Sequence, residues 1–125
     1  ARLGLPADAY ALMGFSQGAM MALYAGLRRP TPPRAILAYS GLLPGGPALA
    51  REIAGHPPVL LVHGEADEVV PVAAGRATEA ALRGAGVPVE AYYAPGLGHG
   101  IDQAGITLGG LALQRGFAEQ QPVAR

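Results

Sequence analysis

Apolar residues in this chain fall into short uninterrupted runs set off by glycine and proline. Tyr10-Ala11-Leu12-Met13 runs into Gly14, and Ala35-Ile36-Leu37-Ala38-Tyr39 follows Pro30, Pro32 and Pro33. Val59-Leu60-Leu61-Val62 lies between Pro57-Pro58 and His63-Gly64, and residues 89–93 form a fourth candidate. Runs this short, bounded by turn residues, fit buried strands. Their continuity, without polar alternation, fits a parallel sheet covered on both faces.

Between the runs the period changes. Met20, Met21, Leu23, Tyr24 and Leu27 predict a helix over residues 17–28, ended by Arg28 and Arg29 where the helix dipole favours cations, and stopped by the prolines. A Gly/Pro-rich loop over 41–47 precedes a short helix over 48–54. Pro71 opens a helix over 72–83. A last helix over 106–119 follows from Leu108, Leu111 and Phe117, although Gly109, Gly110 and Gly116 each weaken it by ~1 kcal/mol relative to Ala. Strand and helix therefore alternate, which implies right-handed crossovers and an α/β fold: four mainly parallel strands with helices on both faces. At 125 residues, one domain spanning 1–125 is expected.

Composition prunes the chemistry. Nine Arg balance nine Asp+Glu, so the net charge is zero and no nucleic-acid partner is expected. Lys is absent, which disfavours Schiff-base catalysis. Cys is absent, which removes disulfides, thiolate metal sites and a cysteine nucleophile. Half the residues are hydrophobic and only 6% aromatic, so the core is aliphatic. No apolar stretch approaches the ~20 residues of a membrane helix. No signal pattern and no basic amphipathic helix are visible, so no stable membrane attachment and a cytoplasmic location are expected.

Three segments carry reactive residue types. Gly14-Phe15-Ser16-Gln17-Gly18 is a G-x-S-x-G sequence between a strand and a helix, the context of a nucleophile elbow. Ser16 would sit on a strained turn, with flanking glycines leaving room for the crossing chain. The Gln17 N–H would point from the helix N-terminus at a forming oxyanion. The plainer alternative is a helix-capping serine. Asp67 follows the Val59–Val62 run, at the carboxyl edge where open α/β sheets bind ligands, and would orient a histidine. Glu65 and Glu68 compete with it, and a turn or capping role is the alternative. His99, in Gly98-His99-Gly100, is the side chain suited to moving a proton near neutrality, with its glycines allowing close approach to Ser16. Each crossover between these three residues is long enough for all to reach one edge.

The remaining candidates have simpler readings. His56 is expected in solvent, His63 as a structural strand end, and Ser40 as a lining or backbone-bonding residue. His63, Asp67, His99 and Asp102 include metal-ligating types, but their spacing matches no metal motif, and no metal or organic cofactor is expected.

Gly14 to Ala19, Val59 to Asp67 with Val69-Val70-Pro71, and Gly98-His99-Gly100 resemble the phospholipase/carboxylesterase family of α/β-hydrolases, a group that includes acyl-protein thioesterases and bacterial carboxylesterases. The resemblance runs from about Leu3 to Phe117. It implies Ser16 as nucleophile, Asp67 as orienting acid and His99 as base in a carboxylic-ester hydrolase that forms an acyl-enzyme on a small acyl ester. Met20, Leu42, Leu43 and Leu97 flank the site and are candidates for an apolar acyl pocket, with ordinary packing as the alternative. A dienelactone hydrolase would call for Cys at the elbow, and a peptidase would cleave amides as well.

The family's fold places several strands, and a His-Gly-rich loop carrying a first oxyanion donor, ahead of the elbow. Here 15 residues precede Ser16. The resemblance thus implies a C-terminal portion lacking those N-terminal strands, and His63-Gly64 is not that loop. Two expectations follow: an esterase weakened by ~10²–10³ for want of one donor, and an exposed elbow-strand edge inviting a homodimer or a missing segment. The alternative is a catalytically silent fragment or interaction unit needing an N-terminal half.

Overall fold

The computed structural model describes residues 8–43 and 49–118. In chain order the elements are β1 (Leu12–Phe15), α1 (Gln17–Arg28), β2 (Ile36–Tyr39), α2 (Leu49–Glu52), β3 (Val59–Gly64), α3 (Val72–Gly84), β4 (Val89–Ala94) and α4 (Gln103–Ala118). The strands form one sheet in the order β1-β2-β3-β4, every neighbouring pair parallel.

Side chains of successive strand residues leave the sheet on opposite faces, and the core divides accordingly. Ile36, Ala38, Val59 and Leu61 pack with Leu23 and Leu27 of α1 and Leu82 of α3. Leu37, Tyr39, Leu60 and Val62 pack on the other face, against Leu108, Ala112 and Leu113 of α4. Helices thus cover both faces of β2 and β3, as the apolar runs imply.

β1 departs from that expectation. Leu12 joins the cluster under α1, but Met13 is 70% exposed and Phe15 40% exposed, because α4 covers β2 and β3 and, among the described residues, nothing covers the outer face of β1. The strand also begins and ends later than the Tyr10–Met13 run. Its ladder to β2 starts at Leu12 and continues past Phe15, where the Ser16 N–H donates to Tyr39 O at 2.8 Å.

α4 starts at Gln103, earlier than the leucine spacing predicts. Asp102 caps it, accepting the Gly105 N–H at 2.8 Å. Its glycines are contact points as well as weak helix formers. A Cβ on Gly109 would collide with the Tyr39 hydroxyl, and one on Gly116 would lie 2.7 Å from Arg34 O. The expected helix ends at residues 48 and 119, and loop residues 44–47, lie outside the described residues.

The register fixes where chemistry gathers. Phe15, Tyr39 and Val62 stand in one row across β1, β2 and β3. Ser16, Ser40 and His63 are therefore neighbours one step beyond it, at the carboxyl edge.

Candidate active site

Ser16 turns the chain from strand to helix within one residue. Its backbone adopts φ 58°, ψ −116°, a conformation that costs an L-residue about 1–3 kcal/mol. Hydrogen bonds hold it there: its N–H extends the β ladder, and its carbonyl accepts from Ala19 N at 3.0 Å and Met20 N at 3.2 Å. Its side chain makes no capping bond to α1, so the capping alternative fails.

The glycines around it are not equivalent. A Cβ on Gly14 would collide with the Gly18 carbonyl, whereas one on Gly18 meets nothing within 4 Å among the described residues. Gly41, beyond β2, is a second close approach, since its Cβ would lie 2.6 Å from Ala19 Cβ and 2.9 Å from Ser16 O. The turn thus depends on Gly14 and Gly41, and not on Gly18.

Asp67 lies in the turn after β3, its side chain without solvent exposure. Oδ1 accepts the N–H groups of Val69 and Val70, each at 2.8 Å. Oδ2 accepts from His99 Nδ1 at 2.8 Å. Burial pushes this carboxyl up, but the hydrogen bonds from His99, Val70 and Val69 outweigh it and hold the group below its usual range. Asp67 is therefore ionised at neutral pH.

His99 stands in the loop after β4, its side chain 20% exposed. Its Nε2 lies 3.0 Å from Ser16 Oγ, and its ring meets Phe15 at 4.8 Å between centroids. With Asp67 ionised, Nδ1 donates to the carboxylate, which leaves Nε2 as acceptor for the Ser16 hydroxyl. The loop is seated by Gly64, not by the glycines beside His99. A Cβ on Gly64 would collide with the carbonyls of Leu97 and Gly98, while Gly98 and Gly100 meet nothing within 4 Å among the described residues. Ser40, also at φ 58° and 1% exposed, donates from Oγ to Gly100 O at 3.2 Å.

The structure thus brings Ser16, Asp67 and His99 into one hydrogen-bonded chain. Gln17 opens α1, where first-turn N–H groups have no partner within the helix. Of the four apolar candidates, Met20, Leu42 and Leu97 are half-buried. Leu43 packs against the cluster under α1, with its N–H donated to Thr78 Oγ1 at 2.9 Å.

Glu65 is exposed and pairs with Arg76 at 3.2 Å, and Glu68 is exposed. Asp102 is committed to capping α4 and to the Tyr92 hydroxyl at 3.3 Å. His56 is exposed on the segment leading into β3, at the other end of the sheet. Cavities of about 220 and 410 Å³ also open at that amino end, lined by residues such as Val59 and Val89 in one and Pro30 and His56 in the other.

Comparison with known proteins agrees with this architecture. A family model described as Phospholipase/Carboxylesterase matches residues 1–108. Acyl-protein thioesterase 1 of Schizosaccharomyces pombe is 40% identical over 72 residues, 55% of this chain and 32% of that protein. A probable carboxylesterase of Oryza sativa is 37% identical over 103 residues, 80% of this chain and 39% of that protein. The crystal structure of esterase PE8 superposes with a TM-score of 0.85 at 44% identity, covering 91% of this chain and 53% of that one. The chain therefore spans well under half the length of these two curated relatives. An elbow serine, a buried carboxylate and a loop histidine joined across three strand ends, on a sheet that overlays an esterase and under a match over residues 1–108, make this chain a member of the phospholipase/carboxylesterase family of α/β-hydrolases.

Proposed function

We propose that this chain carries the reacting groups of a serine carboxylic-ester hydrolase of carboxylesterase, lysophospholipase or thioesterase type. One observation carries the reading: Ser16 Oγ, His99 and Asp67 form an unbroken relay with links of 3.0 and 2.8 Å. In the reaction, Ser16 Oγ attacks the acyl carbon as His99 Nε2 takes its proton. Asp67 holds the imidazole and stabilises the imidazolium. The oxyanion faces the Gln17 N–H at the start of α1. His99 then protonates the departing alcohol or thiol, and water activated by the same nitrogen hydrolyses the acyl-enzyme.

Met20, Leu42 and Leu97 line the acyl side of this site in our reading. Gln17 is the oxyanion donor we identify among the described residues. The test is a fluorophosphonate probe: labelling of the folded chain at Ser16, lost in Ser16→Ala. A folded chain that never labels supports the silent-fragment reading instead.

The edge of β1, which pairs with β2 alone among the described residues, supports a second element of the proposal, pairing with another copy or with a further segment. A single monomeric species by sedimentation at high concentration overturns the pairing of copies. No helix among the described residues is long and apolar enough to cross a membrane. We also propose a cytoplasmic location, which recovery of a tagged protein in the membrane fraction would overturn.

A further inference from the structure

His63 is a buried imidazole that the proposed reaction leaves unused. It is 3% exposed and stands one step beyond Val62, in register with the row that carries Ser16 and Ser40. Its Nε2 lies 2.7 Å from Val70 O. A carbonyl only accepts, so Nε2 carries a proton. Nδ1 faces the backbone of Gly75 in the first turn of α3, where a Cβ would stand 2.8 Å from Nδ1 and 3.2 Å from Cγ. The ring therefore occupies a slot that exists because residue 75 has no side chain.

That slot aims the ring at Asp67. His63 Nε2 is 3.5 Å from Asp67 Oδ2, the oxygen that accepts from His99. This is long for a hydrogen bond but close enough for the N–H to favour the carboxylate electrostatically. Val70 is gripped from both sides: its N–H binds Asp67 Oδ1 at 2.8 Å, and its carbonyl receives the His63 N–H. An apolar side chain would fill the same volume without holding Val70. A buried polar ring costs stability unless its N–H is satisfied, and here that N–H is spent on the turn that presents Asp67.

We propose that His63 is a positioning residue: through Val70 O it fixes the turn over residues 67–70, and through its Nε2–H edge it holds Asp67 Oδ2 in line with His99 Nδ1. The inference deepens the hydrolase reading and rests on it for its kinetic consequence, but its geometric content stands apart. Two measurements on the full chain separate the two.

The first is nitrogen NMR of the histidine rings. His63 is expected as the Nε2–H tautomer. The His99 Nδ1–H resonance is expected to move in His63→Leu and to hold in His63→Gln, whose amide reaches the same carbonyl. An Nδ1–H tautomer at His63, or an unmoved His99 resonance in His63→Leu, overturns the proposal. The second is the rate of fluorophosphonate labelling. His63→Leu is expected to lower the maximal inactivation rate by about 10- to 100-fold with little change in probe affinity. His63→Gln is expected to restore it to within a few fold. Gly75→Ala, whose Cβ meets only the His63 ring among its three nearest neighbours, is expected to lower it too.

Thermal unfolding of each variant accompanies both measurements. If His63→Leu does not fold, Gly75→Ala and His63→Gln decide the matter. If the parent chain folds but never labels, the hydrolase reading falls while the NMR result still decides the role of His63. A His63→Leu chain that folds and labels at the parent rate sinks the positioning role alone.

Discussion

Strands β1 and β3 serve one site from opposite circumstances. β3 lies inside the sheet with all six residues buried, between β2 and β4. β1 pairs with β2 alone among the described residues and leaves Met13 70% exposed. Both nonetheless work through the same device, a glycine where backbone presses on backbone. Gly14 admits the Gly18 carbonyl under the elbow, and Gly64 admits the carbonyls of Leu97 and Gly98 under the histidine loop. Site geometry is therefore set by main-chain approach at the strand ends. Burial decides something else: how much stability is lost when a strand is disturbed.

The comparison breaks most visibly at the buried side. Asp67→Asn keeps the shape but loses the charge that fixes the His99 tautomer, and is expected to slow labelling of Ser16 by about 10⁴-fold. Probe kinetics on a variant with unchanged circular dichroism would check this. If the rate survives, the β3 side does not govern the reaction.

Next come the two glycines of the elbow. Gly14→Ala is expected to destabilise the chain by about 3–5 kcal/mol or prevent folding, because a backbone carbonyl cannot step aside. Gly18→Ala is expected to be neutral or mildly stabilising, since its Cβ meets nothing and α1 gains helix propensity of up to ~1 kcal/mol. Urea unfolding of the pair distinguishes them, and equal effects would refute the close-approach account.

Core truncation sharpens the contrast between interior and edge. Leu82 of α3, 0% exposed, is expected to cost about 2–5 kcal/mol as Leu82→Ala. Leu12, half-buried on β1, is expected to cost about 1–2 kcal/mol as Leu12→Ala. Met13→Lys is expected to change stability by about 0.5 kcal/mol or less while weakening any self-association through the edge.

The smallest effect is that of acid. The folded carboxyl of Asp67 titrates below its ordinary value of 3.8. Its contribution to stability is thus complete above that value and is lost as pH falls through the folded one. Glu79, lowered by its hydrogen bond from Tyr93, has the same sign. Urea titrations are expected to show stability level near neutrality and falling on the acid side, with a shallower fall in Asp67→Asn.

Much of this was legible in the chain itself. Apolar runs marked the four strands, and the residue types at their carboxyl ends marked Ser16, Asp67 and His99. What stayed hidden depends on register. Nothing local distinguishes Gly41 or Gly64 from the other glycines; each matters because of what crosses it from a distant segment. His63 reads as a plain strand end until Gly75 and Val70 are seen around it. The open edge of β1 was expected from the resemblance, but the exposure of Met13 on its outer face was not readable, because its apolar run resembles those of β2 and β3 while its cover depends on where α4 lies. Asp102 was the exception, an Asp three residues ahead of the Gly105 N–H that it accepts, and capping logic could have moved the start of α4 earlier.

The ring of Phe15, tilted 47° against the imidazole of His99, has a practical consequence. An imidazolium beside an indole quenches its emission, and this chain holds no tryptophan of its own. Phe15→Trp therefore places a lone tryptophan against the His99 ring, so that a change of charge on that ring can be followed optically in a stopped-flow cell.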